Sequence, residues 1–77
     1  MDGENINAIK SFSSGLKANP TYGLYFERGR TYLKMKRFNE AVKDFDSAID
    51  LNPNYMKAYY YKGITQIKKG DRRRGIN

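Results

Sequence analysis

Residues 25–53, YFERGRTYLKMKRFNEAVKDFDSAIDLNP, decide the fold, because the residues on either side repeat them at a spacing of 33 or 34. A shift of 34 places Tyr25, Phe26, Gly29, Thr31, Leu33 and Lys34 on Tyr59, Tyr60, Gly63, Thr65, Ile67 and Lys68. A shift of 33 places Ala8, Ile9, Lys10, Phe12, Leu16, Asn19 and Pro20 on Ala41, Val42, Lys43, Phe45, Ile49, Asn52 and Pro53. The one-residue difference falls between Pro20 and Tyr25, in a turn where a deletion disturbs no packed face. A period of this size marks stacked helical units, each burying its apolar face on its neighbours. Such stacks present surfaces that hold other proteins.

Apolar periodicity and chain breakers predict four helices, at about 5–18, 22–35, 38–51 and 55–69. Asn19-Pro20 and Asn52-Pro53 end the first and third, since a residue before proline is pushed out of the helical region. Gly29 and Gly63 fall inside helices, where each costs about 1 kcal/mol relative to alanine. That expense makes sense where a neighbouring helix comes close, and Ala41 and Ala48 supply small facing residues. Leu24, Tyr25, Tyr32, Phe38, Val42, Phe45, Ile49 and Tyr59 are expected to make up the bulk of the core. Gly3 and Gly70 lie 67 residues apart, the sum of the two shifts, and mark the tight turn inside a repeat.

The pattern resembles the tetratricopeptide repeat (TPR). That family carries an aromatic, a leucine, a small residue and a tyrosine on the first helix of each pair, then alanine, aromatic and alanine on the second, closed by proline. Here the positions hold Tyr25, Arg28, Gly29, Tyr32, Ala41, Phe45, Ala48 and Pro53. Arg28 departs from leucine, at a site where the family is permissive. The resemblance implies an all-α fold of antiparallel helix pairs stacked as a right-handed solenoid. It divides residues 1–77, a single module, into the second helix of a partial repeat (5–18), a complete repeat (22–53) and the first helix of a further repeat with a short stub (55–77). The first helix reads as apolar nearly all round and the stub is too short to cap the stack. The chain is therefore expected to be a piece of a longer array, or to self-associate as a homodimer through its unpaired end helices.

Composition narrows the function. Neither Cys nor His is present among the 77 residues, so disulfides are excluded and structural metals largely so. Ser13, Ser14 and Ser47 have no histidine to activate them, and no glycine-rich phosphate cradle follows a strand-like run. Asp50-Leu51-Asn52-Pro53-Asn54 opens like a calcium loop, but Tyr55 stands where that loop needs glycine and Tyr61 where it needs glutamate. Glu40, Asp44, Asp46 and Asp50 read as the solvated face of the third helix. The expectation is a non-catalytic protein without cofactor. No apolar run approaches a membrane span and the N-terminus is acidic, so cytoplasmic or nuclear residence is expected.

A net charge of +7 with a pI near 9.8 favours acidic partners. A protein or peptide is the leading expectation. Nucleic acid contact through the basic surface, or a purely structural segment of a larger scaffold, are the alternatives. The cluster Arg72-Arg73-Arg74 reads as a solvated terminus. In TPR arrays the first helix of each pair lines the concave surface. Carried onto this chain, the resemblance places Phe26, Arg30, Leu33 and Lys34 on one side of a groove and Lys57, Tyr60, Tyr61, Ile64 and Lys68 on the other. Rings beside cations suit an extended peptide bearing carboxylates and apolar side chains. The TPR subclass that clamps chaperone C-terminal carboxylates requires side chains of which only Lys57 is present, so that activity is not expected here.

Overall fold

The computed structural model describes residues 2–73 as four helices joined by short turns: α1 (Asp2–Ala18), α2 (Tyr22–Lys34), α3 (Phe38–Leu51) and α4 (Met56–Arg73). Consecutive helices pack on one another, and the whole forms a single layer of 39 × 32 × 14 Å. The fold is all-α, with the helix-on-helix packing of a TPR stack.

Local chemistry sets the helix ends. Thr21 caps α2, its hydroxyl accepting from the Leu24 N–H at 3.2 Å. At the other end, Arg37 N–H bonds Tyr32 C=O and Lys36 N–H bonds Leu33 C=O, with Lys36 at φ 62°. This is a Schellman ending, with lysine in the left-handed position where glycine is usual. Asn52 ends α3, its N–H bonding Ala48 C=O, and its side chain accepts from the Asn54 N–H at 3.3 Å.

Helix bounds differ from expectation at the outer ends. α1 begins at Asp2 instead of Asn5, and α4 runs from Met56 to Arg73 instead of Tyr55 to Lys69. Gly3 and Gly70 therefore sit inside helices and form no turn, because each added helical residue gains a backbone hydrogen bond. Arg72 and Arg73 continue α4, and the rest of the expected stub, 74–77, lies outside the described residues. α1 is not apolar all round: Glu4, Asn7, Lys10, Ser11, Ser14 and Lys17 form its exposed face, with Ile6 among them.

The core sits between α2, α3 and α4, where Phe26, Ala41, Phe45, Ala48 and Ala58 are buried. A methyl added at Gly29 would lie 2.7 Å from Cε1 and 2.9 Å from Cδ1 of Phe45, so the glycine is the socket for that ring. Close approach was expected at both helix-interior glycines, but at Gly63 nothing lies within 4 Å of such a methyl. Tyr59, expected in the core, is likewise exposed, on the same open side of α4, and its hydroxyl donates to Pro53 C=O at 2.9 Å.

Asp44 is the main correction among the acids. It is 3% exposed and accepts two hydrogen bonds from Arg28, at 2.8 Å from Nε and 2.7 Å from Nη2. Arg28 Nη1 also donates to Ser13 Oγ at 3.0 Å, so one guanidinium joins α1, α2 and α3. That hydrogen bond to Asp44, opposed by burial, raises the Arg28 pKa above its ordinary value. Asp46 stays on the solvated face and pairs there with Lys62 of α4 at 2.6 Å. Both groups of that pair remain substantially exposed, so its contribution is small.

Two predictions follow from this packing. Gly29→Ala should destabilise by about 1–3 kcal/mol despite better helix propensity, because the added methyl forces the fully buried Phe45 ring to shift within a packed core. Gly63→Ala should stabilise by about 0.5–1 kcal/mol, since only propensity acts there. Urea melts of the two variants should shift in opposite directions, and a shared direction would contradict the socket. Asp44→Ala should lose about 2–4 kcal/mol by stranding the guanidinium, while Arg28→Leu with Asp44→Ala should recover most of it. Thermal unfolding of the single and double variants measures the difference.

Candidate functional site

Five rings run in contact from α2 to α4. Tyr22 meets Tyr55 edge-on with centroids 4.8 Å apart, Tyr55 meets Phe26 at 5.1 Å, Phe26 meets Tyr61 at 5.3 Å, and Tyr61 meets Tyr60 at 5.5 Å. Phe26 is the shared floor and is 3% exposed. The outermost rings are open, Tyr22 at 41% and Tyr60 at 66%. Edge-to-face pairs of this kind hold rings in fixed orientation, each adding about 0.5–1.5 kcal/mol beyond its buried area.

Arg30 lies over two of these rings, its Cζ 5.9 Å from the Phe26 centroid and 5.6 Å from that of Tyr61. It therefore bridges α2 and α4 by a cation–π contact. Its nearest carboxylate, Glu27, is 3.6 Å away and both groups are well exposed, a weak pairing. Along α2 the stripe continues to Leu33 and Lys34, and along α4 from Tyr61 to Lys68. Lys34 and Lys68 have no carboxylate within ion-pairing distance among the described residues.

An open trough of about 1210 Å³ lies beside this stripe. Of the nine residues assigned to a groove, Arg30, Leu33, Lys34, Tyr61 and Lys68 line it. Phe26 does not: its ring is wholly taken up by Phe45, Tyr55 and Tyr61, and it supports the site from below. Lys57 and Tyr60 are exposed on α4 outside the trough, and Ile64 is half-buried there. The trough also takes in Lys36, Arg37 and Lys69, which the resemblance did not assign. Tyr22 and Tyr55 were missed as well, although they are one 33-residue period apart and the repeat itself pairs them. A smaller depression of about 310 Å³ between α1 and α2 shares Arg30 and Lys34, and adds Phe12 and Glu27.

The arrangement offers cations, hydroxyl groups and ring edges, with the carboxylates of Glu40 and Asp71 also in the trough lining. Among the described residues there is no group of three or more His, Cys, Asp or Glu side chains that could hold a metal ion, and no helix long and apolar enough to cross a membrane. Burial raises the Tyr55 pKa, with Glu27 and Tyr22 adding to the shift and Arg30 opposing it.

A family profile described as "Tetratricopeptide repeat" matches residues 24–55. The chain is 31% identical over 71 residues, 91% of its length, to a tetratricopeptide repeat and J domain-containing co-chaperone of Cryptococcus neoformans. It is 31% identical over 64 residues to the small glutamine-rich tetratricopeptide repeat-containing protein 2 of Saccharomyces cerevisiae, covering 82% of the chain. It is 32% identical over 65 residues to serine/threonine-protein phosphatase 5 of Homo sapiens, covering 83% of the chain. The matched regions span only 13–18% of the lengths of these three relatives. No solved structure matches the chain.

Tyr55 gives a pH test of the ring chain. Its folded value is raised, so its contribution to stability is present below the unfolded phenol value of about 10 and is lost as pH rises through the folded value. Unfolding free energy should therefore decline above about pH 10, and Tyr55→Phe should remove part of that decline. Chemical denaturation from pH 8 to 11 on both proteins reads the effect, and identical alkaline slopes would count against it.

Proposed function

Since the chain belongs to the tetratricopeptide repeat family, we propose that it is a non-catalytic protein-interaction module whose basic and aromatic concave face binds a peptide segment, acidic or mixed acidic and apolar, of a partner protein. One observation carries this reading: Arg30 stacked over Phe26 and Tyr61 between two helices, beside Lys34 and Lys68, which have no carboxylate partner among the described residues. Fixed rings supply apolar contact and the cations supply charge complementarity, which sets specificity and association rate. The relative named a co-chaperone supports a protein as the partner, and the phosphatase shows such a segment within an enzyme. Cytoplasmic residence, with nuclear residence as the alternative, belongs to the same proposal. So does self-association, supported by Tyr59 and Ile67 exposed on the open side of α4 around Gly63.

Nucleic acid contact is the second reading, favoured by the same pairing of rings and cations. Salt distinguishes the two, because phosphate binding weakens steeply with salt while ring-anchored binding keeps much of its affinity.

Lys34→Ala with Lys68→Ala should weaken capture of the protein partner at least tenfold while leaving helicity unchanged, because both side chains are exposed and line the trough. Pull-down with the intact protein, mass spectrometry of what is retained, and titration of that partner against both proteins provide the test. Undiminished binding would move the site elsewhere on the chain.

A further inference from the structure

The helix contacts repeat with the sequence. Arg28 of α2 meets Asp44 of α3 on one side and Ser13 of α1 on the other. One period later Lys62 of α4 stands at the position of Arg28, and it pairs with Asp46 of α3, the period mate of Ser13. α1 therefore packs on α2 in the register in which α3 packs on α4.

The two outer helices lack opposite neighbours among the described residues. α4 is the counterpart of α2 without its α3: Gly63, the mate of Gly29, has nothing within 4 Å of an added methyl, and Tyr59 and Ile67 beside it are exposed. α1 is the counterpart of α3 without its α2. Phe12 is the period mate of Phe45, flanked by Ala8 and Gly15 as Phe45 is by Ala41 and Ala48. It borders Glu27 and Thr31 of α2 as Phe45 borders Tyr61 of α4, yet it is only half-buried where Phe45 is fully buried.

Resting on the self-association that belongs to the proposed function, we propose that the open face of α4 receives α1 of a second copy, with Phe12 seated on Gly63 as Phe45 is on Gly29, so that copies join head to tail. Charge agrees with shape. Ser11, exposed on α1 and the mate of Asp44, accepts a hydrogen bond from the Lys62 ammonium, so one cation again joins three helices through one carboxylate and one hydroxyl. Lys10 and Lys17 have Lys43 and Asp50 as mates, and both of these stay exposed with α3 covered on two sides, so the contact buries no unpaired charge. Antiparallel pairing, as between α2 and α3, sets Glu4 near the end of α4, where Lys68 and Lys69 outnumber Asp71. α1 and α4 do not pack on one another, so a copy that covers one end keeps its own other end free. Heterologous contact of this kind propagates instead of closing as a symmetric pair.

Light scattering on the full chain across a dilution series tests this, and the mean mass should rise with concentration past that of two copies. Gly63→Ala should lower the association constant at least tenfold while making the single copy more stable, because the methyl occupies the socket and favours the helix. Phe12→Ala should lower it as far with circular dichroism unchanged, and should that variant unfold, Gly63→Ala alone decides. Neither variant extends by itself, but each keeps the half that the other has lost, so an equimolar mixture should form a heterodimer and nothing larger. Undiminished association of both variants, or a mixture that stays monomeric, would overturn the contact of Phe12 with Gly63 and leave self-association through another face standing. A parent mass that stops at two copies would overturn head-to-tail joining in the same way. A parent chain that is monomeric throughout the series would overturn self-association itself.

Discussion

The stack depends on the bond between Arg28 and Asp44. A carboxylate as deeply buried as Asp44 requires a partner that satisfies both oxygens, and the guanidinium fork does so with two short hydrogen bonds. The next residues along each helix make the second contact, with the Phe45 ring seated on Gly29. One polar pair and one knob-in-socket pair, adjacent in sequence and both 16 residues apart, leave α2 and α3 a single register. The third donor of Arg28 reaches Ser13 and extends this register to α1. A leucine at position 28, as in the repeat pattern, would supply packing but could neither neutralise Asp44 nor reach the Ser13 hydroxyl.

A layer only 14 Å thick has a small interior, in which Phe45 and Thr65 are the largest fully buried side chains. Each helix keeps one side open, and large side chains are covered by one another more than by depth. This explains why the rings form a connected chain: Phe26 is covered by Phe45, Tyr55 and Tyr61, and the last two by the rings beyond them. The chain of rings is at once part of the core and the wall of the candidate site. Substitutions at its buried centre will disturb folding, whereas those at its exposed ends, Tyr22 and Tyr60, are free to change recognition alone.

The repeat period disclosed the architecture because helix pairing depends on spacing, which is written directly in the order of residues. Gly29, Ala41, Phe45 and Ala48 could be assigned to the contact between α2 and α3 on that basis. What the period could not convey was which neighbour each position meets. Gly63 and Tyr59 copy Gly29 and Tyr25, yet they face open space, since no described helix covers that side of α4. Asp44 read as solvated because acids on a helix usually are, and its partner is a residue that departs from the repeat pattern. Of the nine assigned groove residues, Arg30, Leu33, Lys34, Tyr61 and Lys68 line the trough, and Leu33 and Tyr61 also pack against the core. Phe26 was drawn inward by three aromatic neighbours whose approach only the folded chain reveals.

The turn between α2 and α3 carries a consequence for how this surface has been shaped. Lys36 holds a left-handed backbone position that disfavours a side chain by about 1 kcal/mol, where glycine would relax it. Its period mates, Gly3 and Gly70, lie inside helices, so position 36 is where the left-handed turn is formed. Lysine at the turn instead projects a positive charge into the wall of the trough. Backbone ease has been exchanged for surface potential at the one tight turn that borders the candidate site, the kind of compromise expected where recognition and foldability compete for the same residue.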